Sequence, residues 1–331
     1  MSGLRAAACS IALAALAALA CGASACGPAA GGAPAVFAAG PPVSREGARF
    51  AVVGDLQRTA PVLEAWREQN DSERERMVAA LAELRPELLL VTGDCVFDGS
   101  SDAQWEAFDA LTAPLRAASI PTVLAFGNHE YWRGRAGAEA HVFPRFPLDA
   151  RRHWLSVALG PVRLVVLDSN EGGLGAAAWA SESAWYEQTL AAFDADDGVR
   201  GVFVAFHHPP FTNSTVTGDE MNVQRAFVPA FVRARKTLAM LNGHVHSYER
   251  FVHDGKTYVV SGGGGGPRAT LATGAARRHP DDAYDGPALR DFNFTVYSLT
   301  EQGVAAEVRG FPKGASAWSV IDRFELAWPA R

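Results

Sequence analysis

The chain has 331 residues, 48% hydrophobic and 20% charged, with 30 Lys and Arg against 36 Asp and Glu. This balance excludes intrinsic disorder, and the net charge of −6 excludes a bulk electrostatic pull toward nucleic acid or anionic membranes. Four Cys exclude a disulfide-stapled scaffold, whereas five of the nine His (His129, His207, His208, His244 and His246) fall into three short clusters.

Through Ser44 the only charged side chain is Arg5, and Ala6 to Ala20 is almost wholly Ala, Leu and Ile. That run has the length of a signal-peptide core and falls short of the roughly 20 residues that span a bilayer. Two small-residue exits follow. Ala18-Leu19-Ala20-Cys21 is similar to a lipoprotein processing box, with Cys21 taking the lipid. Ala23-Ser24-Ala25-Cys26 has the form that precedes ordinary signal-peptidase cleavage. Residues 1–26 are therefore expected to be a signal peptide cleaved before Cys21 or after Ala25, and the protein to be exported to the periplasm or cell envelope. Residues 27–44, rich in Ala, Gly and Pro, read as a flexible linker, and residues 45–331 as the folded domain.

Arg49–Val53 is predicted as a strand that stops at Gly54-Asp55. Glu73–Leu84 carries Met77, Val78, Leu81 and Leu84 at helical spacing and ends before Pro86. Leu88–Thr92 is an apolar strand stopping at Gly93-Asp94; Cys95 behind it reads as a small buried apolar residue. Trp105–Leu115 is helical in pattern, and Pro121–Phe126 is a strand stopping at Gly127-Asn128-His129. A hairpin-like pair, His153–Leu159 and Val162–Asp168, precedes a helix over Trp185–Phe193. Val202–Phe206 is a strand running into His207-His208, and Phe227–Ala234 a helix. Thr237–Leu241 is a short strand ending at Asn242-Gly243-His244-Val245-His246. The Gly run from Gly262 to Gly266 lacks the Lys-Ser/Thr of a phosphate-binding loop and reads as a close-approach loop lining the site. Residues 268–290 read as a mobile surface loop, and Phe292–Arg309 as alternating strand that completes the second sheet.

Five strands thus end in Asp, Asn or His. Ligands bind outside the carboxyl ends of strands in layered α/β sheets, so these ends are expected to converge on one site. One Gly-Asp after a strand is only a turn; the series of five carries the inference. Asp, Asn and His form a mixed oxygen and nitrogen set suited to Mn, Fe or Zn, with no thiolates for a structural zinc site. The donors exceed the needs of one ion. That implies two ions about 3.5–4 Å apart, sharing a carboxylate and acidifying a bridging water.

The ordered series Gly54-Asp55-Leu56-Gln57, Gly93-Asp94, Gly127-Asn128-His129-Glu130, His207-His208-Pro209 and Gly243-His244-Val245-His246 resembles the calcineurin-like metallophosphoesterases. The closing run Gly243 to Arg250, and Phe206 to Phe211 followed by Asn213-Ser214, are similar to the purple acid phosphatase branch. The resemblance implies a four-layer α/β/β/α sandwich of two mixed sheets flanked by helices. It implies that Asp55 and His246 bind the first of two divalent or mixed-valence ions (Mn, Fe or Zn), and that Asp94 bridges both. Asn128, His207 and His244 would bind the second. His129 would lie beside the phosphate, stabilising the pentavalent transition state or protonating the leaving oxygen, a role an imidazole can fill near neutral pH.

Two positions depart from the family pattern. Gln57 replaces the usual His two residues after the first Asp; its amide oxygen is a weaker ligand, or its amide hydrogen-bonds a bound water. Phe97 replaces the Tyr that binds ferric iron in the purple branch, so no tyrosinate–iron colour is expected. Strand alternation turns His208 away from His207, toward substrate or toward packing. Arg133 is placed to meet a substrate phosphate or simply solvent. Glu249 and Arg250 read as structural partners. The expected function is an exported phosphoesterase that hydrolyses a small phosphorylated substrate, chiefly a phosphomonoester, with a hydroxide held by both ions. Alternatives are a phosphodiesterase or nucleotide-cleaving enzyme, and a non-catalytic metal-bearing envelope binding protein, kept open by Gln57 and Phe97. No nucleic acid duplex is expected as a partner, membrane contact is expected only through a lipid on Cys21, and nothing in the sequence sets an oligomeric state.

Overall fold

The apolar runs settle as two six-stranded sheets in a computed structural model that describes residues 33–40, 47–59 and 65–330. The expected signal peptide and part of the linker lie outside the described residues. The strands are β1 (Arg49–Val53), β2 (Leu88–Val91), β3 (Thr122–Leu124), β4 (Leu155–Leu159), β5 (Val162–Val166) and β6 (Gly201–Ala205). They continue as β7 (Thr237–Asn242), β8 (Tyr248–His253), β9 (Lys256–Ser261), β10 (Phe292–Leu299), β11 (Gly303–Phe311) and β12 (Ser319–Ala327). One sheet runs β12-β11-β10-β1-β2-β3, the other β4-β5-β6-β7-β9-β8. β1, β2 and β3 are mutually parallel, as are β5, β6, β7 and β9; the outer strands pair antiparallel.

Alternation along each strand sorts side chains into layers. Phe50, Val52, Leu88 and Leu90 pack inward against Leu164, Val166, Phe203 and Leu241 of the facing sheet. The intervening Ala51, Val53, Leu89 and Val91 meet Met77, Leu81, Trp105 and Phe108 of helices Asp71–Leu84 and Asp102–Leu111. On the other flank Val202, Val204 and Met240 meet Tyr186, Leu190 and Phe231 of helices Ala176–Ala195 and Val228–Arg233. The result is a four-layer α/β/β/α sandwich of two mixed sheets. No described helix is long and apolar enough to cross a membrane.

Four details differ from expectation. The C-terminal strands complete the sheet that contains β1, not the second one, because β10 pairs antiparallel with β1. Half-exposed β12, with little apolar alternation, was not legible as a strand. Phe37, within the stretch read as a linker, is buried, stacks on Phe146 at 5.0 Å and donates its N–H to the Arg145 carbonyl. A single aromatic side chain thus docks an otherwise coil-like segment onto the domain. Finally, residues 268–290 are not a loose loop: Arg268 pairs with Glu68 at 2.7 Å, and His279 with Asp219 at 2.9 Å.

Candidate metal centre

Because β1, β2 and β3 are parallel, Asp55, Asp94 and Asn128-His129 leave the first sheet at one edge. Parallel β6 and β7 bring His207-His208 and His244-His246 to the matching edge of the second. The turns that aim these side chains are strained. Asp55, Asp94 and His244 have φ of 62°, 55° and 66°, left-handed conformations that cost a non-glycine residue about 1 kcal/mol or more. Gly127 supplies the clearance: a Cβ there would stand 2.2 Å from Asp94 Oδ1.

Asp94 Oδ2 occupies the centre. It lies 3.3 Å from His207 Nε2, 3.3 Å from Gln57 Nε2 and 4.0 Å from His129 Nε2. On one side His246 Nε2 stands 3.4 Å from Asp55 Oδ1 and 3.3 Å from the Gln57 amide. On the other, Asn128 Oδ1 faces His207 Nε2 at 3.1 Å and His244 Nδ1 at 3.0 Å, and the two ring nitrogens are 3.1 Å apart. The outward nitrogens are spoken for: His207 Nδ1 donates to the Thr92 carbonyl at 2.7 Å and His246 Nδ1 to the Pro267 carbonyl at 2.8 Å. When neutral, rings held this way present lone pairs inward, the arrangement that orients metal-ligating histidines.

The inward atoms are therefore mostly lone-pair bearers packed against each other, which fits cations between them. The fit extends to Gln57, whose buried Oε1 has no hydrogen-bond partner; a half-turn of its nearly isosteric amide would aim that oxygen at Asp94 and His246. Electrostatics agree. Burial pushes the Asp55 carboxyl up, with His246 opposing. Against the same burial, His207, His129 and His244 hold the Asp94 carboxyl far below its usual range. Despite burial, Asp94 raises His207 to about 9, while burial and the His207 charge push neighbouring His244 down to about 3. Two such imidazoles are not charged together, and a cation would take the place of the proton on His207.

Several supports were not singled out from sequence. Glu130, fully buried, accepts N–H bonds from Asp94 (2.9 Å), Cys95 (2.7 Å) and Gly127 (2.8 Å), so it fixes both turns that carry Asp94 and Asn128. Its carboxyl is pushed up to about 7 by burial and by Asp94. A sixth strand end also contributes. After β5, Asn170 Nδ2 donates to the Phe126 carbonyl at 2.9 Å, and Tyr131 donates to Asp168, which joins the two sheet edges behind His129. The available signal was Asp168-Ser169-Asn170, another polar cluster closing an apolar strand.

The remaining predicted residues divide. His208 does not point away. β6 ends at Ala205, so alternation no longer governs the chain, and the His208 ring lies 4.5 Å from that of His244 with Nδ1 2.8 Å from Ser169 Oγ. Arg133 is exposed and its Nε pairs with Asp98 at 3.0 Å, outside the donor cluster. Glu249 accepts from Thr212 Oγ1 and the Asn213 N–H, and Arg250 pairs with Asp322, both structural. The Gly run does line the site: a Cβ on Gly266 would meet the His246 ring at 2.6 Å.

A helix-flanked pair of mixed sheets with oxygen and nitrogen donors gathered across their common edge defines a metallophosphoesterase. The chain belongs to the calcineurin-like phosphoesterase family, whose profile matches residues 48–248. A "probable cyclic nucleotide phosphodiesterase" of Rhodopseudomonas palustris is 30% identical over 183 residues, 52% of this chain and 63% of that protein. The chain spans just under two-thirds of the length of the curated relatives it matches. Among solved structures, a purple acid phosphatase from yellow lupin (Lupinus luteus) superposes with a TM-score of 0.64 at 19% identity, over 87% of this chain and 55% of that one. GAP50, described as the anchor in the inner membrane complex of Plasmodium, gives 0.62 at 13% identity, over 87% and 90%. These two likenesses concern the fold.

Proposed function

We propose that the protein is an exported, dimetal-dependent phosphoester hydrolase. The observation that carries this reading is the convergence of Asp55, Gln57, Asp94, Asn128, His207, His244 and His246 on one cleft, with His129 at its rim. Asp55, Gln57, Asp94 and His246 would hold one ion, and Asp94, Asn128, His207 and His244 the other. The oxygen-rich first set suits Mn or Fe, and the two imidazoles of the second suit Fe or Zn. Bound there, two cations supply positive charge to the phosphoryl oxygens and a water acidified to near-neutral pKa.

The chain's own groups do the rest. His129 donates Nδ1–H to the Phe97 carbonyl at 2.6 Å, which turns Nε2 toward the reacting phosphate; as the imidazolium it passes its Nε2 proton to the leaving oxygen and is left neutral. Glu130, together with the His129 N–H that donates to Asp94 Oδ1 at 3.0 Å, keeps the Asp94 carboxylate and the His129 turn in register. His208, beside His244, touches the substrate phosphate.

Phosphomonoesters are the first substrate class. A second reading, phosphodiesters of nucleotides, is supported by the description of the Rhodopseudomonas palustris relative. The deciding experiment is turnover of a phosphomonoester and a phosphodiester, side by side, by the full chain reconstituted with Mn, Fe, Zn or Co. Faster monoester turnover supports the first reading and faster diester turnover the second. Zero turnover of both with every metal overturns hydrolysis in favour of a non-catalytic metal-bearing envelope protein.

A further inference from the structure

Next to His129 the chain builds an aromatic wall that the metal centre does not need. The Trp132 indole lies nearly parallel to the His129 ring, 5.3 Å between centroids and 11° between planes. Phe97 closes the triangle, 4.8 Å from His129 and 5.2 Å from Trp132. The backbone is fixed as well, since the His129 carbonyl accepts from both Trp132 N–H (3.2 Å) and Gly99 N–H (2.9 Å). Yet Trp132 remains 37% exposed. A large indole that is pinned by two rings and its own main chain, but left open to solvent, is a preorganised stacking surface.

We propose that Phe97 and Trp132 form the leaving-group subsite, selecting phosphate esters whose leaving group carries a flat aromatic ring. The inference rests on the hydrolase reading, because His129 places the leaving oxygen on this side of the cleft. Chemistry along the wall is consistent. The adjacent cation, Arg133, is engaged by Asp98 at 3.0 Å, so the wall offers a π-face to an uncharged ring more than a charge to a second phosphate. Phe97 thus acquires a use in place of an iron-binding phenol. Both nucleobases and simple aryl groups present the required surface.

The test is equilibrium binding to the metal-loaded full chain of three non-reacting probes: phenylphosphonate, ethylphosphonate and the phosphonate analogue of adenosine 5′-phosphate in which a methylene replaces the ester oxygen. The expected result is at least one aromatic probe bound about tenfold tighter than ethylphosphonate, in the range that ring stacking contributes. Trp132→Ala should abolish that ratio and Trp132→Phe keep most of it; the ratio is the readout, because displacement of His129 alone would weaken all probes together. Preference for phenylphosphonate identifies an aryl ester, and preference for the nucleoside probe a nucleotide. Equal affinities in the wild type, or an unchanged ratio in Trp132→Ala, overturn the subsite. Should Trp132→Ala not fold, Phe97→Leu carries the same comparison. Turnover measured in parallel separates the two readings: a ratio without turnover overturns hydrolysis alone, and turnover without a ratio overturns the subsite alone.

Discussion

His129 donates Nδ1–H to the Phe97 carbonyl at 2.6 Å, which leaves its other ring nitrogen 4.0 Å from Asp94 Oδ2. A side chain anchored this way delivers its proton in one direction. His129→Ala is expected to lower kcat/KM by about a hundredfold or more for esters of poor leaving groups, and by less for activated aryl esters that depart unprotonated. Initial rates on both ester types check this, and comparable rates for mutant and wild type would remove the proton-donor role.

Gln57 stands 3.3 Å from His246 Nε2, where an imidazole would complete the first of the two proposed ligand sets. Gln57→His should therefore tighten binding of one of the two ions while leaving the other unchanged. Calorimetric titration with Mn²⁺ or Zn²⁺ reads this directly. Two unaltered binding steps would mean that Gln57 stands outside the ligand set.

The Glu130 carboxylate accepts three backbone N–H bonds, and an amide has a single oxygen to replace its two. Glu130→Gln should cost about 1–3 kcal/mol in urea unfolding and also lower metal content, because the Asp94 turn loosens. An unchanged unfolding midpoint would refute this.

Glu249 gives a pH signature away from the ligands. Burial raises its carboxyl to about 7 in the folded chain, against the ordinary 4.5. Between these values the folded state binds more protons than the unfolded one, so stability is fully present below about pH 4.5 and falls as pH rises toward 7. The loss attributable to this group is up to about 3 kcal/mol. Urea midpoints at pH 5 and pH 7.5 should diverge more for the wild type than for Glu249→Gln. Equal divergence would show that Glu249 does not titrate in this window.

The proposed export, together with the expected lipid on Cys21, makes a cellular prediction. Cys21→Ser should move the protein from the membrane fraction to the soluble periplasmic fraction, and retention in the membrane would count against lipidation.

The ligand positions were legible because each follows an apolar strand, and strand ends are where a parallel sheet collects its polar groups. The unbroken apolar runs of β1 and β2 likewise announced two-sided burial. What stayed hidden depended on contacts distant in sequence. Nothing local marks Phe37 as docked, since its partners Phe146 and Arg145 lie over a hundred positions away. Apart from Trp179, residues 176–184 are Ala, Ser and Glu with weak amphipathic contrast, so only the later half of helix Ala176–Ala195 was visible. His208 lies three residues beyond the end of β6, where strand alternation no longer sets side-chain direction, and sheet membership of β10 is set by pairing with β1, which no single segment encodes.

Asp55, Asp94 and Asn128 hang from one sheet, whereas His207, His244 and His246 hang from the other. Cations gripped by both halves, as proposed above, would act as rivets between the two sheets. At a hundredfold excess over its Kd, one such ion adds about 2.7 kcal/mol to the folded state. The rivet also transmits in reverse. A packing defect between Phe50 and Phe203, whose rings meet at 5.0 Å in the inter-sheet core, would change the bite of the chelate without touching a ligand.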